Sequence, residues 1–212
     1  MPPSPSAQST SPFKREDVRV QKLDYIRRAA SDLFNKKGFD ATSLDEVAEK
    51  IGISKPSIYY YYKNKSELLL GCYIRTLDLC DDLLAETHQI EGSALDKICH
   101  FTRQLIFLNC AQGAIAVVSE IDALPSEAIG PLRARSRDLT KRLKRLIADG
   151  VADGSLRPDL SDVTTLFIMG AVNWTPRWYR EDGPMTPTAI ADAYISFLVQ
   201  GVAAEADQSP GR

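Results

Sequence analysis

Residues 43–68, SLDEVAEKIGISKPSIYYYYKNKSEL, decide how this chain is read. Ser43 followed three residues later by Glu46 is a capping-box pattern. Leu44, Val47, Ala48 and Ile51 then recur on one side of a short helix. Gly52 ends that helix where a left-handed residue costs little. Ser54 offers the next N-cap, and Pro56 falls in the first turn, where its missing N–H is not needed. The pattern predicts a second helix over about residues 55–62. On it Ile58 and Tyr62, four apart, face Val47 and Ala48 of the first helix. Lys55, Tyr59 and Lys63 share another face, with Ser57 and Tyr61 beside them. A cation and small hydroxyls at a helix start, with phenols one turn later, suit a helix that enters the major groove N-terminus first. Lys and Ser then reach base edges while Tyr reaches phosphates. Asn64 stops this helix and Lys65 opens the next.

The upstream residues agree. Ile26, Ala29, Ala30, Leu33 and Phe34 form one apolar helical face, and Lys37-Gly38-Phe39 with Ala41-Thr42-Ser43 reads as its exit. The run Ile53, Ser54, Lys55, Pro56, Ser57, Ile58, Tyr59, Tyr60, Tyr61, Tyr62 and Lys65 resembles the DNA-binding domain of the TetR family of ligand-responsive transcriptional regulators. In that family a β-branched residue, Ser, a variable pair, Ser or Thr, an aliphatic and Tyr precede two aromatic or His positions and a helix-opening Lys. The match is detailed over roughly residues 20 to 70; beyond that it is one of architecture and length. The resemblance implies that Ser43, Lys55, Pro56, Ser57, Tyr59, Tyr60, Tyr61 and Lys65 meet double-stranded DNA. By spacing alone the alternative stays open, since two short helices around a Gly also occur where no nucleic acid binds, and four Tyr can wrap a core.

Charge favours DNA. Residues 11–65 hold twelve Lys and Arg against eight Asp and Glu, whereas the whole chain is −2. A weakly basic head on an acidic body directs phosphate to the head. At 212 residues and 44% apolar, the chain is long enough for one small and one larger helical domain. No apolar run approaches the ~18 residues of a membrane span. Residues 1–12, MPPSPSAQSTSP, carry neither charge nor apolar run, so they read as a disordered tail and not a signal peptide. The cytoplasm is the expected location. The expected division is a tail over 1–18, a helix-turn-helix domain over 19–64, a ligand-binding and dimerisation domain over 65–205, and a second tail over 206–212. Cys72, Cys80, Cys99 and Cys110 lack metal-ligand spacing and read as reduced core thiols. His88 and His100 have no companions for a triad or a metal site. Neither metal, cofactor nor enzymatic activity is expected.

The fold class is all-α, with a three-helix head followed by a helical body. Leu68, Leu69, Cys72, Tyr73, Leu77, Cys80, Leu83 and Leu84 keep helical period to about Ile90. A second body helix, capped by Ser93, is apolar around most of its circumference through Leu95, Ile98, Cys99, Phe101, Leu105, Ile106 and Leu108. Residues 111–124 continue with small side chains, and Pro125-Ser126 restarts a helix marked by Leu132, Leu139, Leu143, Leu146, Ile147 and Val151. Two more helices follow, over about 161–179 and 186–203. Apolar inner faces beside the loosely packing Gly113, Ala114, Ala116 and Ser119 suit a ligand cavity, although an ordinary filled core fits equally. The family resemblance, in which this region houses an inducer, favours the cavity. Phe167, Gly170 and Ala171 on one late helix, and Tyr194, Phe197 and Leu198 on the other, lie on wide apolar stripes. Paired with a second copy they form a four-helix seam about a two-fold axis. Such a homodimer matches a palindromic operator with half-sites about one turn, ~34 Å, or somewhat more apart.

Asn173-Trp174-Thr175-Pro176-Arg177-Trp178-Tyr179-Arg180 is the second unusual run. Pro176 removes a helical hydrogen bond and predicts a kink near Val172, with Trp174 and Trp178 stacked one turn apart. With Gly183-Pro184 and Thr186-Pro187, it resembles the C-terminal region of TetR-family members that control fatty-acid or steroid degradation and respond to acyl-CoA thioesters. That implies Trp174, Arg177 and Trp178 near a small hydrophobic ligand, joined by Phe101 and Leu105. Aromatic residues filling the dimer seam are the alternative. Between Leu132 and Ala148, seven Lys and Arg face one acidic residue, Asp138. Asp78, Asp81, Asp82 and Glu86 neutralise them, or they hold coenzyme A phosphates at a cavity mouth. The combined expectation is a repressor released from its operator by a ligand; the rival is a helical lipid carrier or enzyme that never touches DNA.

Overall fold

The computed structural model describes residues 12–111, 121–160 and 162–202. Among them the chain is all-α, with no β-strand. The order is α1 (Pro12–Lys37), α2 (Leu44–Ile51), α3 (Lys55–Tyr61), α4 (Lys65–Gln89), α5 (Ala94–Ala111), a 3₁₀ turn (Ile121–Ala123), α6 (Ser126–Ala152), α7 (Asp162–Asn173), α8 (Thr175–Trp178) and α9 (Pro187–Val202). Helix α1 starts at Pro12, so residues 12–18, expected as tail, are helical. Proline at a first helical position explains the start, since it gives up no bond there. Residues 1–11 and 206–212, and the small-residue stretch with Gly113, Ala114, Ala116 and Ser119, lie outside the described residues.

The head packs as its apolar spacing requires. Ile26, Ala30 and Phe34 of α1, Val47 and Ala48 of α2 and Ile58 of α3 are buried in one cluster. Completely burying Ile58 contributes roughly 1.5–3 kcal/mol. The same cluster continues through Leu68, Leu69, Cys72 and Tyr73 of α4 into Phe101, Leu105 and Ile106 of α5, so α4 belongs to both head and body. Burial pushes the Cys72 thiol up to about 12 and Cys80 to about 11, which keeps both protonated and unreactive.

The body is built on α5, which packs against α4, α6, α7 and α9. Its N-terminus is closed twice. Ser93 Oγ accepts from Asp96 N at 3.2 Å and Asp96 Oδ2 accepts from Ser93 N at 2.9 Å. Asp153 Oδ2 and Ser155 Oγ, on the loop after α6, then accept from Ala94 N and Leu95 N at 2.8 and 3.2 Å. Four donors are thus satisfied where a bare helix end leaves them open. Gly150 permits this closure, because a Cβ there would sit 2.5 Å from Leu156 Cδ1. On the opposite side α6 pairs with α4: Arg135 donates to Asp78 at 2.7 Å and to Asp81 at 2.6 Å, and Arg142 reaches Asp81 at 2.6 Å. These two arginines are neutralised by α4, whereas Arg133, Arg137, Lys141 and Arg145, four residues apart, remain exposed.

The penultimate helix is broken where a kink was expected. α7 ends at Asn173 and Pro176 sits in the first turn of the separate α8. Lacking an N–H, Pro176 cannot serve the carbonyl of Val172, four residues back. That carbonyl instead accepts from Asn109 Nδ2 of α5 at 2.9 Å, in a buried contact.

Candidate nucleic-acid interface and effector region

The α2–α3 turn is assembled from local signals. Ser43 Oγ accepts from Glu46 N at 3.1 Å and Glu46 Oε2 accepts from Ser43 N at 3.2 Å, which completes the capping box. Gly52 takes φ +70° and, with Ile53, donates to Glu49 and Ala48 carbonyls at the end of α2. Ser54 does not cap α3 with its side chain; its hydroxyl pairs with Ser57 at 2.7 Å. Behind α3, Tyr62 is buried and its hydroxyl accepts from Arg27 Nε at 2.8 Å. Burial raises the Tyr62 pKa and Arg27 only partly offsets it, so the phenol stays neutral.

The outer side of α3 is free for a partner. Tyr59 is 51% exposed and Tyr60 79%. Lys55 donates to Asp45 Oδ2 at 2.7 Å, with both side chains largely in water. That hydrogen bond and the Asp45 charge hold the Lys55 pKa above its ordinary value. Exposed pairs of this kind contribute little, so a phosphate or base edge readily takes the ammonium over. Ser43 keeps its hydroxyl hydrogen while its oxygen caps α2. Pro56, Ser57, Tyr60 and Tyr61 turn toward α1 and line a groove with it. Asp45 had no signal as a Lys55 partner, since the two are ten residues apart.

Lys65, expected to meet DNA, is partnered within the chain. Its ammonium donates to the Phe39 carbonyl at 2.6 Å and to Asp40 at 3.3 Å, and lies 4.1 Å from the Phe39 ring centroid. It braces the α1–α2 turn against α4. Spacing gave no warning, because the acceptors are backbone atoms 25 and 26 residues earlier. Asp32 adds a second brace: burial pushes its pKa up, but hydrogen bonds from Lys36 and Lys50 outweigh that and leave it lowered.

The effector region departs further from expectation. Phe101 and Leu105 are 3% and 2% exposed and pack into the main core. One space inside the bundle, beside Phe101, Thr102, Leu143 and Ile168, measures about 20 Å³. A volume of that size holds about one water and no acyl chain. The larger space, about 380 Å³, lies in the α7–α9 seam against Phe167, Ala171, Tyr194, Phe197 and Leu198. Tyr194 donates to the Ala171 carbonyl at 3.2 Å and ties the two helices together. Leu198, expected in the dimer seam, is 9% exposed and packs in a second core with Ala94, Ile98, Leu146 and Leu156. Phe167 and Phe197 are 75% and 78% exposed, and Gly170 is exposed between them in sequence. Trp174 and Trp178 make no ring contact with each other and are 62% and 39% exposed, so neither is inside a cavity. Pro176 ends α7 rather than bending it, which turns both indoles outward. Arg177 reaches back to the head, donating to the Asn35 carbonyl of α1 at 3.4 Å. Arg28 of α1 donates to the Ala111 carbonyl at 2.9 Å, so the body grips α1 at two points. No helix among the described residues is long and apolar enough to cross a membrane.

The fold is similar to that of the ketosteroid transcriptional regulator KstR2 of Mycobacterium tuberculosis, with a TM-score of 0.74, 22% identity, and coverage of 87% of this chain and 96% of that one. It is also similar to AibR, solved in complex with isovaleryl coenzyme A and operator DNA, with a TM-score of 0.69, 24% identity, and coverage of 84% and 98%. By sequence the chain is 26% identical over 210 residues to the HTH-type transcriptional repressor KstR2 of Rhodococcus jostii, covering 94% of this chain and 97% of that protein. The model of the tetR family of bacterial regulatory proteins matches residues 26–72, and that of the tetracyclin repressor-like C-terminal domain matches residues 91–202. Head and body are thus matched separately and in the right order, and the chain belongs to the TetR family of bacterial regulatory proteins.

Proposed function

We propose that the chain is a homodimeric repressor that holds a palindromic operator with its two α3 helices and releases it when a small hydrophobic ligand binds. The observation that carries this reading is the α2–α3 turn, which buries Ile58 and Tyr62 while leaving Lys55 and Tyr59 outward. Lys55, Ser57 and Tyr59 address the groove, with Ser43, Pro56, Tyr60 and Tyr61 at its edge. The exposed faces of α7 and α9 supply the two-fold seam through Phe167, Gly170, Ala171, Tyr194 and Phe197. The name of the Rhodococcus relative, a repressor, points the same way.

For the ligand, the isovaleryl coenzyme A in the AibR complex supports an acyl-CoA thioester. The α7–α9 groove of about 380 Å³ is lined by the same Phe167, Ala171, Tyr194 and Phe197 that the two-fold seam uses, so the acyl group is assigned to the body apart from that seam. The phosphates need cations, and exposed Arg133, Arg137, Lys141 and Arg145 on α6 carry no counter-charge among the described residues. Ligand in the body then acts on α1 through α8, where Arg177 meets Asn35, and shifts the population toward a spacing of α3 helices that no longer fits DNA. The test is a gel shift on DNA flanking the gene, with isovaleryl-CoA, a long-chain acyl-CoA and the free acids added in turn. Release by a thioester and not by its acid supports the reading; retention with every thioester sinks the ligand class. Lys55→Ala is expected to weaken operator binding and lower the salt slope by about one unit. Binding unchanged in Lys55→Ala and Tyr59→Phe alike sinks the DNA assignment.

A further inference from the structure

The side of α3 assigned to DNA carries a charge that phosphate does not call for. Lys55 Nζ donates to Asp45 Oδ2 of α2 at 2.7 Å, and the other carboxylate oxygen, Oδ1, is buried with no hydrogen-bond partner. Glu49, one turn further along α2 and exposed, is near enough for its charge to act on the Lys55 ammonium as well. Helix α2 therefore sets carboxylates beside the cation that reaches toward the groove. Phosphate oxygens only accept hydrogen bonds, and their charge repels a carboxylate. A surface made for phosphate alone has no use for Asp45.

A base-pair edge differs from a phosphate, because it offers donors as well as acceptors. In a G·C pair, guanine O6 and cytosine N4 are bonded to each other and so lie about 3 Å apart. Lys55 Nζ and Asp45 Oδ2 have nearly the same separation. Guanine N7 stands beside O6 as a second acceptor, whereas thymine presents O4 alone next to its methyl group and adenine presents N7 alone next to its amino group. We propose, on the reading that α3 enters the major groove, that the Asp45–Lys55 pair acts as one unit against a single G·C pair in each operator half-site. Lys55 donates to guanine O6 and N7, and Asp45 Oδ2 accepts from cytosine N4. A carboxylate oxygen has a lone pair to spare for that amino group while it keeps Lys55. The exposed pair is weak enough for Lys55 to leave it for a phosphate. Asp45 then faces that phosphate with one oxygen buried and neither oxygen bonded. Asp45 thus lowers affinity for DNA at large and raises it at one base pair, so that a repulsion and a contact discriminate together.

The test is selection from a library of random duplexes by the full chain and by its Asp45→Asn variant, with affinity for a fixed duplex outside the enriched set measured in parallel. Asn keeps the size of Asp and one oxygen acceptor while removing the charge. The unchanged chain is expected to enrich one G·C position per half-site, and Asp45→Asn to relax that position by about fivefold or more while leaving the others. Affinity of the variant for the unselected duplex is expected to rise by about twofold to fivefold at low salt, the scale of one exposed charge pair, and the gain to shrink as salt is added. A merely structural role for Asp45 would instead lower affinity for all duplexes alike, in step with thermal stability. Such a uniform fall, an unaltered base profile, or relaxation only at an A·T position overturns the proposal and leaves DNA binding standing. Enrichment of no sequence by the unchanged chain overturns the DNA reading, and this proposal with it.

Discussion

Two turns of this molecule share a design and close in opposite ways. Both α3 and α8 carry a proline at their second position, Pro56 and Pro176, after a preceding helix has ended. Before α3, the ending is written in neighbouring residues: Gly52 goes left-handed and the carbonyls of Ala48 and Glu49 are satisfied within the turn. Before α8 there is no such residue. Trp174 keeps a right-handed helical conformation, φ −78° and ψ −18°, and Pro176 simply deprives the Val172 carbonyl of its donor. The missing donor comes from Asn109, 63 residues away. The first turn is therefore a local object that can present a fixed face to DNA. The second exists only while α5, α7 and α8 are packed together, which makes it responsive to whatever binds between them.

The strongest way to break this contrast is to attack the face that the second turn leaves uncovered. Phe197→Glu adds a carboxylate where the side chain is 78% exposed in the single chain, so the protomer folds. In a two-fold seam the same carboxylate is buried unpaired, at a cost of several kcal/mol. Dimer affinity is expected to fall by about a hundredfold or more in sedimentation equilibrium. An unchanged dimer means that α7 and α9 are covered by something else.

A double-mutant cycle sharpens the contrast next. Asn109→Leu strips the buried Val172 carbonyl of its donor and is expected to cost about 1–3 kcal/mol in urea unfolding. In a Pro176→Ala background an N–H is restored at position 176 and that cost should fall by about 1 kcal/mol. Additive losses would mean that Asn109 stabilises the body by packing alone.

What was legible in the chain follows the same division. Ser43, Glu46, Gly52 and Pro56 each declare their role to residues within five positions, and every one occupies the cap or turn that its type suggests. The exposed α7–α9 stripes were equally readable, because helical period places Phe167 and Phe197 on outward faces. Leu198 is less so, since it lines the α7–α9 face and also packs with Leu156 of the loop after α6 in the second core. Nothing in the neighbourhood of Lys65 announces the Phe39 and Asp40 carbonyls that its ammonium meets. The Trp174–Trp178 pair failed for the reason Pro176 did: whether a proline bends a helix or ends it depends on whether a distant side chain can replace the lost bond. Cavity volume is least legible of all, being the small difference between large packed volumes.

Gly52→Ala probes the local turn with a smaller effect. A Cβ there meets nothing within 4 Å, so the substitution strains only the backbone at φ +70°. The expected loss is about 1–2 kcal/mol of head stability. Gly52→Asn should lose less, because Asn tolerates this conformation. Equal stability for all three in thermal unfolding would show that the end of α2 is held by packing and not by the glycine.

The smallest effect, and the one that places both kinds of closure on a single scale, is the acid limb of stability. The carboxyl of Glu46 is held below its ordinary range first by the Lys37 hydrogen bond and then by the Ser43 backbone, whereas that of Asp153 is held down by Ser155 and by Ala94 N of distant α5. A group whose pKa is depressed on folding stabilises the chain above its unfolded value, about 4, and loses that contribution as pH falls through the lower folded value. The urea midpoint should therefore hold steady down to about pH 5 and fall below about pH 4. Glu46→Gln and Asp153→Asn each keep an oxygen acceptor while removing the titration, so each should flatten the acid limb without abolishing its cap. If the two closures differ as the turns do, Glu46→Gln affects only exchange of α2 amides with solvent. Asp153→Asn, acting through a contact 59 residues long, should loosen the start of α5 and the end of α6 together. Equal and purely local effects would mean that the long-range cap behaves as just another helix end, and that distance along the chain does not make a closure cooperative.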